Sequence, residues 1–179
     1  MPVSVSTIDT TVGGSSSNAY VTLAVANQYN TDRAPSSVGT TWTAANDEQR
    51  SAAIIDATRQ LDALVEWTGW AVDADQALLW PRSGMWDRAG YSVLSTVIPT
   101  ELQEATAEYA RQLLAKDRMA DSDPETEGIQ SIKAGSVAIT FKSDVSRKVV
   151  PDAVVNLLPV GWFSHIRGRD NANIDLVRA

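Results

Sequence analysis

The 179-residue sequence contains no cysteine and only one histidine. The absence of cysteine excludes disulfides, iron–sulfur clusters, cysteine-based zinc sites and thiol catalysis, and it fits folding in a reducing cytoplasm. A serine–histidine–aspartate triad would have to use His165, which lies beside Arg167 and Arg169, far along the chain from any nucleophile loop. We therefore predict that His165 is a surface or interface residue rather than a general base.

Basic residues are also scarce, since 15 Lys and Arg stand against 22 Asp and Glu and give a formal net charge of -7. Proteins that grip a phosphate backbone gain much of their affinity when clustered cations release counterions. An acidic chain without a basic run is expected to repel nucleic acid rather than to bind it tightly. The first basic residue is Arg33, which disfavours a signal peptide, and no apolar run approaches the roughly 18 residues that span a bilayer.

Motifs that bind phosphate or metal are missing too. Neither a G-x-G-x-x-G fingerprint nor a P-loop is present. The acidic segment 121–128 resembles a calcium loop only superficially, because Thr126 and Ile132 occupy the positions that need Gly and Glu. No catalytic, cofactor or metal residue is predicted, and we expect that the chain is not an enzyme.

Helical periodicity dominates the rest of the sequence. A first helix is expected after the N-cap residue Thr22, and a second after Asn46, which has Gln49 as its capping-box partner. The second helix should end near 67–69, and a third should begin at a capping box formed by Thr100 and Gln103 and end by about residue 121. A short helical turn is expected at 75–79.

The period changes from helical to two near residue 137, which predicts a late β-hairpin at about 129–142 with Ala134 and Gly135 in its turn. Pro151 is suited to open a last helix, which Pro159 would stop. The predicted fold class is mainly α, a small bundle of three to four helices with this hairpin and extended terminal arms. The predicted divisions are a flexible N-terminal arm at 1–19, a helical domain at 20–160 and a C-terminal tail at 161–179.

An aromatic segment at 66–99 allows two interpretations. Tryptophans can stack single-stranded bases, which requires a positive groove, but here Arg82 and Arg88 are offset by acidic neighbours. The alternative, which we favour, is that the tryptophans bury area in a core or at a subunit interface. The candidate interface or structural residues are Trp80, Pro81, Arg82 and Trp86, together with the basic tail residues His165, Arg167 and Arg169. That tail either meets an acidic partner or is simply solvated.

Several segments, taken in order, resemble one family of phage proteins. The most specific is the run Gln76–Arg82, which contains Trp80-Pro81, and the likeness extends over roughly 13–160. Val25 departs from it, since Glu would be expected there. The other matching segments are Asn18–Leu23, Ala26-Asn27, Tyr29, Trp42, Ala57-Thr58, Leu61-Asp62, Asp87-Arg88, Gly90, Ile98-Pro99, Leu102-Gln103, Ala105–Ala110 and Pro151–Ala153.

This family is that of the head–tail connector (adaptor, head-completion) proteins of tailed phages, some members of which are labelled DnaT-like single-stranded DNA-binding proteins. The resemblance implies a structural virion protein of the neck, assembled in the bacterial cytoplasm. It implies a ring of copies, expected to be dodecameric, that contacts the portal protein and the next neck or tail component. DNA would pass through the lumen without tight binding. A single-stranded DNA-binding replication protein is the alternative.

Overall fold

A computed structural model describes residues 4–33, 39–119, 131–134, 137–140 and 148–167. Five helices lie in these ranges: α1 (Leu23–Asp32), α2 (Gly39–Ala44), α3 (Asp47–Leu64), α4 (Thr100–Ala115) and α5 (Asp152–Val155). Six short strands accompany them: β1 (Val65–Trp67), β2 (Trp70–Ala71), β3 (Arg82–Ser83), β4 (Ser131–Ala134), β5 (Val137–Thr140) and β6 (Phe163–Ile166). The strands form three two-stranded antiparallel sheets, so the fold is a mixed helical and β structure with much helix.

The core lies between α3 and α4, the two longest helices, with α1 and α5 packed against α4. The spacing of three and four residues between Ile54, Ala57 and Leu61 places them on one face of α3, and all three are fully buried. Leu102, Ala105 and Tyr109 of α4 meet them from the other side, and they are buried to the same degree. Burial of these paired stripes is what stabilises two helices of ordinary intrinsic propensity.

The capping box at the start of α3 is confirmed. The Asn46 side chain accepts a hydrogen bond from the Gln49 backbone N–H at 2.8 Å, and the Gln49 side chain accepts one from the Asn46 N–H at 3.0 Å. Two backbone donors that no helical carbonyl can reach are thereby satisfied. At α1 the Thr22 side chain accepts a hydrogen bond from the Val25 N–H at 3.2 Å.

Replacing Asn46 with Ala is expected to lower the free energy of unfolding by about 1 kcal/mol, because the Gln49 N–H loses its acceptor. Chemical denaturation of both proteins measures the difference. Asn46→Asp is the matched control, since it keeps the acceptor and places a negative charge at the positive end of the helix dipole. Equal losses in the two variants would contradict the capping role.

The predicted capping box at α4 is wrong. Thr100 lies inside the helix, and Pro99 occupies the N-cap position without a side-chain hydrogen bond. Gln103 instead donates to the carbonyl of Ile98 at 2.8 Å. The helix ends at Ala115, within the predicted limit of about residue 121.

The boundary of α3 is displaced for a long-range reason. The chain leaves the helix after Leu64 and continues as β1, which pairs with β6 nearly a hundred residues later. The Thr68 N–H donates to the Trp162 carbonyl at 2.9 Å, and the Arg167 N–H donates to Leu64 at 2.8 Å. The predicted C-terminal tail is therefore corrected: residues up to 167 belong to the folded body, and the boundary at 160 is too early.

The predicted flexible N-terminal arm is also folded over much of its length. Asp9 and Asn18 exchange hydrogen bonds at 2.8 and 2.9 Å, which closes a loop between them. The Gly14 carbonyl accepts from the Ala77 N–H at 3.1 Å, so the loop is held against the body. Ala19 is buried where the arm was predicted to end.

The late hairpin is confirmed, with β4 and β5 antiparallel and Ile132 opposite Ile139. Ala134 pairs with Val137 and so belongs to the strand rather than to the turn. The predicted turn of helix at 75–79 is not formed; the chain there makes non-helical turns and bends. The last helix is a single turn at Asp152–Val155. The acidic segment 121–128 lies outside the described residues.

Candidate interaction surface

The side chain of Gln76 organises the run that carries the strongest family resemblance. Its Oε1 accepts hydrogen bonds from the N–H groups of Val72 and Asp73 at 3.1 and 3.0 Å. Its Nε2 donates to the carbonyls of Leu78 and Pro81 at 2.6 and 3.2 Å. One amide thus replaces the regular backbone pairing that this irregular segment lacks.

Tyr20, which precedes α1, and Asp62 of α3 hold the Gln76–Arg82 run through hydrogen bonds to its backbone. The Tyr20 hydroxyl donates to Asp62 and accepts from the Trp80 N–H at 3.2 Å. The other carboxylate oxygen of Asp62 accepts from the Leu79 N–H at 3.0 Å. Burial raises the pKa of Asp62 above its ordinary value, and the bonds from Tyr20 and Leu79 offset part of that rise. Burial, reinforced by the nearby Asp62 carboxylate, raises the pKa of Tyr20.

The raised pKa of Asp62 gives an expected pH dependence. Because the folded state binds the Asp62 proton more tightly than the unfolded state, this contribution to stability is present below pH 3.8 and is lost as pH rises through the raised pKa. The free energy of unfolding of the wild type minus that of Asp62→Asn should therefore fall as pH rises through this window. Urea denaturation at a series of pH values measures it.

Tyr20→Phe serves as the control for the pH effect. It removes a hydrogen bond that lowers the pKa of Asp62, so the fall should extend to higher pH. Stability curves of wild type and Asp62→Asn that stay parallel over this range would show that Asp62 titrates normally in the folded protein.

Trp80 lies in a buried tryptophan cluster. Its ring meets Trp67 edge-on, with centroids 5.7 Å apart and planes at 88°, and it meets Trp162 at 4.8 Å and 45°. Trp80 is 1% exposed, so it has no face on which a base could stack. The Trp80-Pro81 peptide bond is cis, and Pro81 is buried as well.

Arg82 is buried and directed at the backbone. Its Nε donates to the Thr68 carbonyl at 2.6 Å, its Nη2 to the Gly69 carbonyl at 2.9 Å and its Nη1 to the Leu79 carbonyl at 3.0 Å. These bonds tie the turn between β1 and β2 to the run that precedes β3. Because Arg82 is buried and three of its N–H groups bind backbone carbonyls, it stabilises the local fold and is not presented to a phosphate group.

Beyond this rigid base lies an exposed set of large side chains, which we call the aromatic surface: Trp70, Trp86, Tyr91 and Leu94. They are 66%, 61%, 72% and 66% exposed, respectively. The backbone brings these residues near one another, because the Trp70 ring packs on Gly84, the Asp87 N–H bonds to the Tyr91 carbonyl and the Val93 N–H bonds to the Met85 carbonyl. Neighbouring apolar side chains that stay exposed mark interaction sites.

The rings are held on a stable backbone. The Trp70 ring covers Gly84, whose φ is +78° and where a Cβ would come within 3.0 Å of that ring. Trp86 begins a small hairpin in which the Asp87 N–H donates to the Tyr91 carbonyl at 2.8 Å. The Trp86 carbonyl in turn accepts from Trp162 Nε1 at 2.7 Å, which fastens the hairpin to the tryptophan cluster.

Three aspartates and two arginines lie in the chain segments that carry the aromatic surface. Arg88 donates to the carbonyls of Asn156 and Leu157 at 2.9 and 2.8 Å, so both arginines of this segment are engaged with backbone oxygens. Asp73 and Asp75 are exposed nearby in the chain. This is the opposite of the positive groove that accompanies base-stacking aromatics in single-strand binders.

A comparison with family models covers nearly the whole chain. The model described as "Putative DnaT-like ssDNA binding protein" matches residues 7–179. The chain belongs to this family. Searches of curated proteins and of solved structures each found no match.

The match to the DnaT-like family includes the basic tail residues. His165 lies on β6 opposite Glu66, and Arg167 makes a long ion pair with Glu66 at 3.8 Å between two half-exposed side chains. Such exposed pairs contribute little stability. Arg169 lies outside the described residues. Trp162 connects this tail to Trp80 and Trp86, so these candidate residues share one end of the fold.

Sequence reasoning missed several residues of this region in the DnaT-like chain. Trp162 fell in the predicted tail, although a tryptophan there was itself a sign of burial. Tyr20 and Asp62 appeared only within the segments Asn18–Leu23 and Leu61-Asp62 that resemble the phage family. In the described ranges no group of His, Asp and Glu is arranged to hold a metal ion, and no helix there is long and apolar enough to cross a membrane.

Proposed function

We propose that this chain is a non-enzymatic assembly module that works as a head–tail adaptor in the neck of a tailed phage. Copies would form a ring, dodecameric in our expectation, beneath the portal protein and would lengthen the channel for DNA. The ring would also meet the next neck or tail component. The site of action would be the virion, after assembly in the bacterial cytoplasm.

The observation that carries the proposal is the aromatic surface on its rigid base. Trp70, Trp86 and Tyr91 are exposed, yet Arg82 and Arg88 beside them bind backbone carbonyls. Aromatic side chains without free cations suit a protein contact, where buried tryptophan and tyrosine give the largest energies. The net charge of -7 supports a lumen through which DNA slides without sticking.

The family resemblance supports the choice of assembly. The run Gln76–Arg82 is its most specific part, and here that run builds the base of the aromatic surface. A contact between unlike faces of successive copies closes into a ring when the rotation between them allows it. The aromatic surface would supply one of those faces or the face toward the portal.

The test is to mix the purified chain with the portal protein of the phage that encodes it and to image the complex by negative stain. The proposal expects a ring of density added to one end of the portal. Portal particles that look the same with and without the chain would contradict it.

Single-stranded DNA binding is the second candidate, because the family description names it and because Trp70 and Trp86 are exposed. It predicts salt-sensitive binding to oligo-dT that weakens when Trp86 is replaced, since phosphate contacts release counterions and stacking contributes about 1–3 kcal/mol per base. Trp80 cannot stack on a base, because it is buried. The adaptor proposal expects negligible binding to oligo-dT even at low salt.

A further inference from the structure

We infer that the partner of the aromatic surface is a protein segment that presents arginine or lysine side chains to Trp70, Trp86 and Tyr91. This deepens the proposed function and rests on it only in treating the surface as a protein contact. The inference comes from the exposure of the rings, the charge around them and the use of the same chemistry elsewhere in the fold.

The three rings are largely exposed, and the Trp70 ring packs on Gly84. Among the described residues, neither a second ring nor a cation stacks on Trp70, Trp86 or Tyr91. By contrast, two other aromatic side chains of this chain carry a cation: Arg50 lies 5.9 Å from the Trp42 ring centroid and Arg33 lies 5.6 Å from that of Tyr29. The exposed rings offer the same negative faces to a group from outside.

Carboxylates accompany the rings. Asp87 directly follows Trp86 and holds the hairpin through its Oδ1, which accepts from the N–H groups of Ala89 and Tyr91 at 2.9 and 2.8 Å. Its Oδ2 takes no hydrogen bond from the described residues. Asp73 is exposed three residues beyond Trp70, at the turn held by Gln76. These acids attract a cation and repel a phosphate.

The two arginines of this region offset only part of that negative charge, since Arg82 is buried and Arg88 is exposed beside three aspartates, Asp73, Asp75 and Asp87. Arg82 and Arg88 keep their positive charge but direct it at the carbonyls of the fold, Arg82 inward and Arg88 toward Asn156 and Leu157. Aromatic faces beside carboxylates select a cationic side chain, and arginine best, because a planar guanidinium stacks on a ring while it binds a carboxylate.

The probe is a fluorescein-labelled peptide of alternating arginine and glycine, titrated with the full chain at low salt and followed by fluorescence anisotropy. We expect binding, with the Kd raised about two- to tenfold by Trp86→Ala and by Trp70→Ala, as one cation–π contact each predicts. Asp73→Asn and Asp87→Asn should each raise the Kd as well. Both substitutions keep a hydrogen-bond acceptor but remove the negative charge that attracts the peptide.

Two matched controls separate the surface from the net charge of the chain. Glu48→Gln removes one exposed carboxylate at the start of α3, and Val25→Ala removes exposed apolar atoms on α1. Neither should change the Kd. A Kd unaffected by the tryptophan variants, or raised by Glu48→Gln as much as by Asp73→Asn, would overturn the inference.

Two further outcomes would also overturn it. One is displacement of the peptide by oligo-dT from the wild type but not from Trp86→Ala, which would identify a nucleic-acid surface. The other is self-association of the chain alone that Trp86→Ala abolishes, which would make the partner a second copy. If the chain docks on the portal but does not bind the peptide, only this inference is contradicted. If the chain binds the peptide but does not dock on the portal, only the adaptor proposal is contradicted.

Discussion

Replacing Trp80 with Ala is expected to lower the free energy of unfolding by about 3–5 kcal/mol, the usual cost of removing a fully buried tryptophan. The ring is 1% exposed and is shared by Trp67 and Trp162, so its loss leaves a cavity that two large neighbours border. Helix α3 continues into β1, and its pairing strand β6 follows Trp162, so this loss affects two segments that are about a hundred residues apart in the chain. Chemical denaturation measures the change.

Two variants serve as controls for Trp80→Ala. Trp80→Phe keeps a ring in the cluster and should recover part of the loss. Trp86→Ala removes an equally large side chain that is 61% exposed, and it should change stability by no more than about 0.5 kcal/mol, as surface substitutions usually do. A Trp80→Ala protein as stable as Trp86→Ala would mean that the tryptophan cluster does not hold this end of the fold.

Replacing Glu108 with Ala is the second change with a large expected effect, a loss of about 3–5 kcal/mol, because one partner of a buried ion pair remains without its counter-charge. Glu108 is 0% exposed and Arg111 is 5% exposed. Arg111 donates to both carboxylate oxygens of Glu108, and Gln112 donates to one of them at 2.9 Å. Arg33 approaches the same carboxylate at 3.4 Å and so links the end of α1 to α4.

The double variant Glu108→Leu with Arg111→Met is the decisive companion. Replacing both charges with apolar side chains of similar size removes the unpaired charge, and it should recover most of the stability. Arg59→Ala is the surface control: its pair with Asp56 joins exposed side chains at 3.7 Å and should contribute about 0–1 kcal/mol. If Glu108→Ala costs no more than Arg59→Ala, the pair at α4 does not stabilise the fold.

The parts of the fold that the sequence predicts well are those encoded by neighbours in the chain. Asn46 and Gln49 lie three residues apart, and the α3 face repeats at three and four, so local spacing is enough for that helix. The alternation of β5 is also local, and its pairing with β4 needs only a short connection.

The parts that were missed depend on distant partners. Strand β1 has three residues, which are too few to show an alternation. It forms because β6, about a hundred residues later in the chain, pairs with it. Trp162 gave no local sign that its ring would meet Trp80. Whether Trp80 or Trp86 is exposed was likewise not predictable, because both are tryptophans in one irregular segment and only the tertiary packing distinguishes them.

The candidate surface was therefore predicted only in outline. The sequence singled out the run that ends at Arg82, and in the structure its residues contact the surrounding fold. Gln76 binds backbone groups, Trp80 packs in the tryptophan cluster, and Arg82 donates to the carbonyls of the turn. What they support is a neighbouring set of exposed rings, of which only Trp86 was among the candidate residues.

Co-sedimentation with the portal protein tests most directly the central claim that the aromatic surface carries a protein contact. Wild type and Val25→Ala should sediment with the portal, and the double variant Trp70→Ala with Trp86→Ala should remain in the supernatant while keeping the circular dichroism spectrum of the folded chain. Two results would contradict the account. One is a double variant that sediments with the portal as the wild type does. The other is a wild type that does not sediment with the portal and binds oligo-dT with strong salt dependence.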